Sequence, residues 1–271
     1  MTKKRRPKKE VGDSIKWKIY GVLTIPLFFL VVYLLIQFMD YKTSRDALEQ
    51  GLAYEMDGNL INADRSYHNS IVYDQECVEC FIERGRFFYD RHQDYSSAEY
   101  NFNRAKRYAD EDDLTGYFYE LQGKTCYQLG DLPTASVKLS KALELGSDDS
   151  THFYLALTER DLVGSTENVL AALQEFDQLH PLGYKTNLEL GRTLFFLNRF
   201  EEAAEKLALA KEIKTGNKDL ILLASNNEIA LGDTLSGCEK IVDLMKAYDN
   251  DAEEIFDQHC WKYDLGVPRG L

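Results

Sequence analysis

Apolar residues along this chain fall into two patterns. The first is one continuous run, Ile19 to Met39, with no charged residue and only Thr24 and Gln37 clearly polar. As a helix rising about 1.5 Å per residue it spans roughly 31 Å, one hydrocarbon core. Trp17 and Tyr20 flank one end and Tyr41 the other, where amphipathic rings favour the headgroup level. Pro26 kinks such a helix without preventing insertion. The second pattern starts near Ser44. Apolar and small residues recur there at helical spacing, and the whole arrangement returns every 34 residues.

Gly191, Phe200, Ala203, Leu207 and Ala210 show the repeat most clearly. Gly123, Leu132, Ala135, Leu139 and Ala142 stand at the same offsets, as do Gly51, Leu60, Ala63 and Tyr67. These spacings resemble the tetratricopeptide repeat (TPR), a helix pair with small residues at positions 8, 20 and 27 and a large one at 24. In that register the units are 44–77, 78–115, 116–149, 150–183, 184–217 and 218–251. The second is longer, with an extra residue near His92 and the acidic loop Glu111-Asp112-Asp113; allowing for it, Gly85, Tyr95, Ala98, Phe102 and Ala105 fall in phase. The fourth is degenerate (Leu157, Val169, Phe176) but ends on Pro181, and the sixth is weak (Ser225, Gly237, Ile241).

The resemblance implies an all-α fold: an N-terminal transmembrane helix at 19–39, then a right-handed TPR solenoid of about six helix pairs and a capping helix. The small residues are expected to bring the two helices of a unit together, and the residue at 24 to fill the gap to the next unit. Each pair leaves one apolar face bare, so the last needs a cover. The capping helix is expected at 252–263, presenting Ile255, Phe256 and Trp261, followed by a tail at 264–271. A very short linker, Tyr41 to Ser44, joins the apolar run to the first unit.

Charge adds an orientation. Eight of the 32 Lys and Arg residues, but only Glu10 and Asp13 of the 45 acidic ones, lie in the first 39 residues. Basic flanks stay on the cytoplasmic side, so residues 1–18 read as a cytoplasmic tail. The repeats then lie outside, as in a periplasmic domain anchored to a bacterial inner membrane. A cleaved signal peptide would need a shorter apolar stretch and a small-residue cleavage site, whereas the run is followed by Gln37-Phe38-Met39-Asp40-Tyr41. The net charge of −13 for the whole chain becomes −19 over residues 40–271, which disfavours nucleic acid as a partner.

Little in the sequence points to catalysis. His68, His92, His152, His180 and His259 form no HExxH or other ligand spacing, and no Walker A, GxSxG or GxGxxG context occurs. No enzyme activity, metal or cofactor is expected. Cys77-Val78-Glu79-Cys80 is open to three readings: unbonded structural cysteines, a simple disulfide, or a redox-active pair at a helix start. Haem attachment fails because Phe81 stands where a histidine is required. Cys238 and Cys260 permit a disulfide pinning the cap, and Cys126 sits at a core position.

Members of the TPR family bind partners chiefly through the first helix (helix A) of each pair. In this register, position 9 supplies Arg86, Lys124 and Arg192. Neighbouring groove positions supply Tyr89, Tyr117, Tyr127, Tyr154, Phe195 and Phe196. They read either as a groove for a peptide or partner helix or as ordinary inter-repeat residues. The leading expectation is a membrane-anchored scaffold or co-chaperone binding polypeptides in secretion, pilus or envelope assembly. The alternatives are a thiol-redox or apocytochrome-handling factor using the CxxC pair, and a structural subunit of a membrane complex.

Overall fold

The computed structural model describes residues 12–180, 183–246, 250–263 and 265. The basic residues Lys3 to Lys9, Pro181, and the tail at 264 and 266–271 lie outside them. Thirteen α-helices and no strand occur among the described residues.

The first helix, α1 (Gly12–Met56), carries both the apolar run and helix A of the first pair. This replaces the expected linker. Asp40-Tyr41-Lys42-Thr43 contains no glycine or proline to stop a helix, and the Thr43 hydroxyl donates back to the Met39 carbonyl at 2.8 Å. The helix changes character along its length. From Pro26 to Thr43 every side chain is exposed except the half-buried Val32, while Ser44, Ala47, Leu48, Gly51 and Glu55 are buried on one stripe. The exposed part makes α1 long and apolar enough to cross a membrane.

The chain divides into two compact units, the first ending at Glu111 and the second beginning at Asp112. In the first, α1 pairs with α2 (Leu60–Tyr73), and α3 (Val78–Phe87) with α4 (Tyr95–Tyr108). The second contains the pairs α5 (Gly116–Gln128) and α6 (Leu132–Glu144), α7 (Asp149–Val163) and α8 (Glu167–Leu179), α9 (Tyr184–Phe196) and α10 (Phe200–Ile213), and α11 (Lys218–Ala230) and α12 (Thr234–Met245). The short α13 (Asn250–Ile255) follows.

Short polar residues set most helix starts by accepting a backbone N–H of the first turn: Asp94 from Ser97 at 3.0 Å, Asn217 from Leu220 at 3.0 Å and Thr166 from Val169 at 3.2 Å. Left-handed glycines such as Gly130 (φ 80°) turn the chain between the helices of a pair. The extra residue near His92 is absorbed as a wide helical turn, Phe88–His92, closed by Gln93 in the left-handed region.

Packing within a pair adds one contact to the expected scheme. A Cβ on Gly85 would lie 2.6 Å from the Phe102 ring, and one on Gly191 would lie 2.7 Å from Leu207. Gly51 and Tyr67, and Gly123 and Leu139, meet in the same way. The residue at position 24 therefore rests on the glycine at position 8 of its own pair. Only a bare α-carbon lets a large side chain sit that close. The buried clusters then link neighbours: Leu48, Ala63, Tyr67, Cys80 and Phe87 join α1, α2 and α3, while Leu157, Leu170, Leu190 and Ala203 join α7 to α10.

The C-terminal cover also differs in detail. α13 runs into a second wide turn, Phe256–Cys260, which directs Cys260 inward to a disulfide with Cys238 on α12. Ala252 and Cys260 are buried, Ile255 and Phe256 are half-buried, and Trp261 is exposed instead of covering the last pair.

Candidate functional site

Three A helices of the second unit each present one stripe of polar and aromatic residues. On α5 the spacing of Tyr117, Glu120, Lys124 and Tyr127 keeps them on one face; α7 aligns Ser150, Tyr154 and Asp161, and α9 aligns Lys185, Glu189, Arg192 and Phe196. The stripes interlock across the helices. Lys124 binds the Glu120 carboxylate and donates to the Ser150 hydroxyl at 2.7 Å. Two ammonium groups lie over the Tyr154 ring, Lys124 at 5.2 Å and Lys185 at 4.7 Å from its centroid. Tyr127 packs edge-on against Tyr154 with centroids 5.8 Å apart and donates its hydroxyl to Asp161 at 2.9 Å. Burial, reinforced by that carboxylate, pushes the Tyr127 phenol above its ordinary range. Arg160 bridges Asp161 at 2.7 Å and Glu189, and Arg192 lies 3.6 Å from the same Glu189.

This network alters the picture drawn from position 9. Lys124 and Arg192 sit against acidic partners within the ladder, so the face is close to electrically balanced. What it offers outward is aromatic: Phe196 is 63% exposed and Tyr117 44%, with Phe195 packed between Phe196 and Phe200. Such a face recognises a chain by ring contacts and hydrogen bonds, with little net attraction.

Arg86 and Tyr89 belong to the first unit. Arg86 is held by Glu55 through two bonds of 2.7 and 3.0 Å and by Glu83 at 2.7 Å; Arg91 and the Tyr67 hydroxyl also donate to Glu55, at 2.8 and 2.7 Å. Arg86 thus locks α3 to α1. Tyr89 packs against Tyr95 at 5.4 Å.

Both cysteine pairs are bonded, Cys77 to Cys80 and Cys238 to Cys260, and Cys126 is buried. Among the described residues no cluster of three or more His, Cys, Asp or Glu could hold a metal ion. The sequence reading missed Glu120, Ser150, Asp161, Lys185 and Glu189. Their signal was present as helical spacing opposite the named residues, with partners roughly 30 positions apart. It also missed an apolar cleft of about 480 Å³ between α10, α11 and α12, floored by Leu207, Leu220 and Ala224 and rimmed by Lys211, Lys240 and Asp243.

A scan of the sequence against protein-family models finds no match, and a comparison with curated proteins finds none either. Solved structures do match. PilW, a widely conserved type IV pilus biogenesis factor, is 15% identical with a TM-score of 0.62, covering 79% of this chain and 98% of that one. PilF of Pseudomonas aeruginosa is 14% identical with a TM-score of 0.63, covering 81% and 99%. YrrB, described as a TPR protein with an unusual peptide-binding site, is 18% identical with a TM-score of 0.50, covering 65% and 88%. These likenesses, joined to the helix-pair architecture and its repeating glycines, establish that the chain has the tetratricopeptide-repeat fold.

Proposed function

We propose that this chain is a non-catalytic scaffold, anchored in a membrane by the apolar part of α1, that holds polypeptide partners on the extracytoplasmic side. The observation that carries the reading is the A-helix face of α5, α7 and α9. Its ladder fixes the rings of Tyr127 and Tyr154 in place, while Tyr117 and Phe196 stand exposed beside it. Preordered aromatic surface binds a peptide or helix at low entropic cost. Two disulfides favour a compartment that permits them, and the basic N-terminal flank favours the same orientation. A periplasmic domain on a bacterial inner membrane satisfies both. The resemblance in fold to PilW and PilF supports a role in assembling a pilus or a similar envelope complex.

The test is crosslinking from membranes followed by partner identification. Tyr117→Ala with Phe196→Ala removes two exposed rings and leaves Lys124, Tyr127, Tyr154 and Asp161 themselves unsubstituted. It is expected to cut capture of a specific polypeptide at least tenfold while helical content stays unchanged. Capture equal to the unsubstituted chain rules this face out. Reversing Lys124 or Arg192 is a poor test, because each substitution also breaks internal pairs.

A further inference from the structure

The scaffold reading leaves the Cys77–Cys80 pair without a task. We propose that it is a thiol–disulfide exchange site, which accepts two electrons from a dithiol on another polypeptide. This goes beyond the scaffold reading and does not depend on it.

The pair is a weak candidate for a structural staple. Its two cysteines are three residues apart, whereas Cys238 and Cys260 are 22 apart. Closing so short a loop removes little freedom from the unfolded chain. The turn is also held by other bonds: the Cys77 N–H donates to the Asp74 carbonyl at 3.3 Å, the Glu76 N–H to the Asp74 carboxylate at 3.1 Å, and the Phe81 N–H to the Cys77 carbonyl at 3.2 Å. Its shape survives opening of the disulfide.

Access and bonding divide the two sulfurs by role. Cys80, Cys238 and Cys260 are fully buried, and Cys77 is half-buried. Of the four bonded cysteines, only Cys77 is not fully buried, so it is the one that an outside thiolate can approach. Cys77 caps the ten-residue α3, and its sulfur accepts the Cys80 N–H at 3.1 Å. A thiolate there gains a charge-assisted bond and the positive end of the helix dipole. The Ser44 hydroxyl donates to the Ser70 carbonyl at 2.8 Å, so it turns a lone pair toward the Cys80 sulfur, 3.4 Å away. A disulfide sulfur has no hydrogen to offer that lone pair, whereas a Cys80 thiol does. The reduced state therefore makes a hydrogen bond that the oxidised state lacks, which favours electron uptake.

A partner thiolate attacks the Cys77 sulfur, and the Cys77–Cys80 bond breaks. Cys80 leaves with the electron pair, takes up through solvent a proton that the partner's thiols release, and keeps it as a thiol that hydrogen-bonds to the Ser44 oxygen. The partner's second thiolate attacks its own sulfur in the mixed disulfide and expels Cys77 as a thiolate. The partner ends as a disulfide and the chain as a reduced pair.

The experiment uses the full chain in detergent, equilibrated in glutathione buffers of defined ratio, quenched in acid, alkylated and mapped by mass spectrometry. Cys77 and Cys80 are expected to open where Cys238 and Cys260 stay bonded. The exchange constants should differ at least tenfold, about 30 mV for a two-electron couple. Cys80→Ser should trap a mixed disulfide on Cys77 when mixed with a disulfide-containing model peptide. Ser44→Ala should make the pair several-fold harder to reduce, and Ser44→Thr, which keeps the hydroxyl, should restore it. The Cys238–Cys260 midpoint reports folding in every variant. Both disulfides opening together, no trapping on Cys77, or an unchanged midpoint in Ser44→Ala would each overturn the proposal.

Discussion

Burial raises the cost of ionising the Glu55 carboxyl, yet hydrogen bonds from Arg86, Tyr67 and Arg91 outweigh it and hold the group at about 2, against an ordinary value of 4.5. A carboxyl lowered by folding stabilises the folded chain at every pH above its unfolded value. That stability is lost as pH falls from about 4.5 toward 2. At neutral pH it is on the order of 3 kcal/mol, and Glu55 is only 5% exposed, so solvent screens it little. Glu55→Gln keeps the shape and removes the charge, leaving Arg91 and part of Arg86 unpaired. Chemical denaturation of the chain in detergent should show the variant weaker by about 2 kcal/mol at pH 7. The gap should narrow steadily below pH 4.5. A gap constant across that range would show that the charge of Glu55 contributes nothing.

Among the elements, the cap is where a single covalent bond matters most. α13 is six residues long, too short to persist alone, and it is tied to α12 through Cys238 and Cys260. A bond closing a loop of that length is worth about 3 kcal/mol when it introduces no strain. Replacing both cysteines by alanine should speed amide hydrogen exchange through α12 and α13 by at least tenfold and leave α5 and α6 unchanged. Equal protection with and without the bond would mean the cap holds by packing alone. The elements also show what a sequence can express. Repeating glycines and large residues such as Gly191 and Leu207 fix a phase, because each unit must solve the same steric problem. The large residue at position 24 does reach the next pair, as Tyr67 meets Phe87 at 5.2 Å and Leu207 joins Leu220 and Leu223, but its second contact, on the glycine of its own pair, is not given by a period. The pairing of Lys124 with Glu120 and Ser150 was hidden for a related reason. Both partners lie on correct helical faces, but a sequence does not give the rotamers that bring them together. Trp261 faces outward because the wide turn at Phe256–Cys260 shifts the helical register, and no residue type announces such a turn.

Across the whole molecule, the continuity of α1 has the largest consequence for the anchored scaffold proposed above. With no break between Met39 and Ser44, the first helix pair extends directly from the apolar segment, and about 7 Å of helix separates them. α2 runs antiparallel to α1, and the bond from Ser44 to the Ser70 carbonyl brings the end of α2 back to that level. On that proposal Val72 and Tyr73, 54% and 46% exposed, lie within a turn or two of the bilayer edge, where Tyr is favoured. Ile61, exposed at the other end of α2, lies about 18 Å farther along the helix axis. In vesicles of brominated lipid, with Trp17 and Trp261 both changed to Phe, Tyr73→Trp should be quenched several-fold more than Ile61→Trp. Equal quenching would mean that α1 does not hold the first pair upright against a membrane. Strong quenching at 73 alone would also place the Cys77–Cys80 turn, which directly follows α2, at the membrane surface, and so confine its reaction to partners that reach that surface.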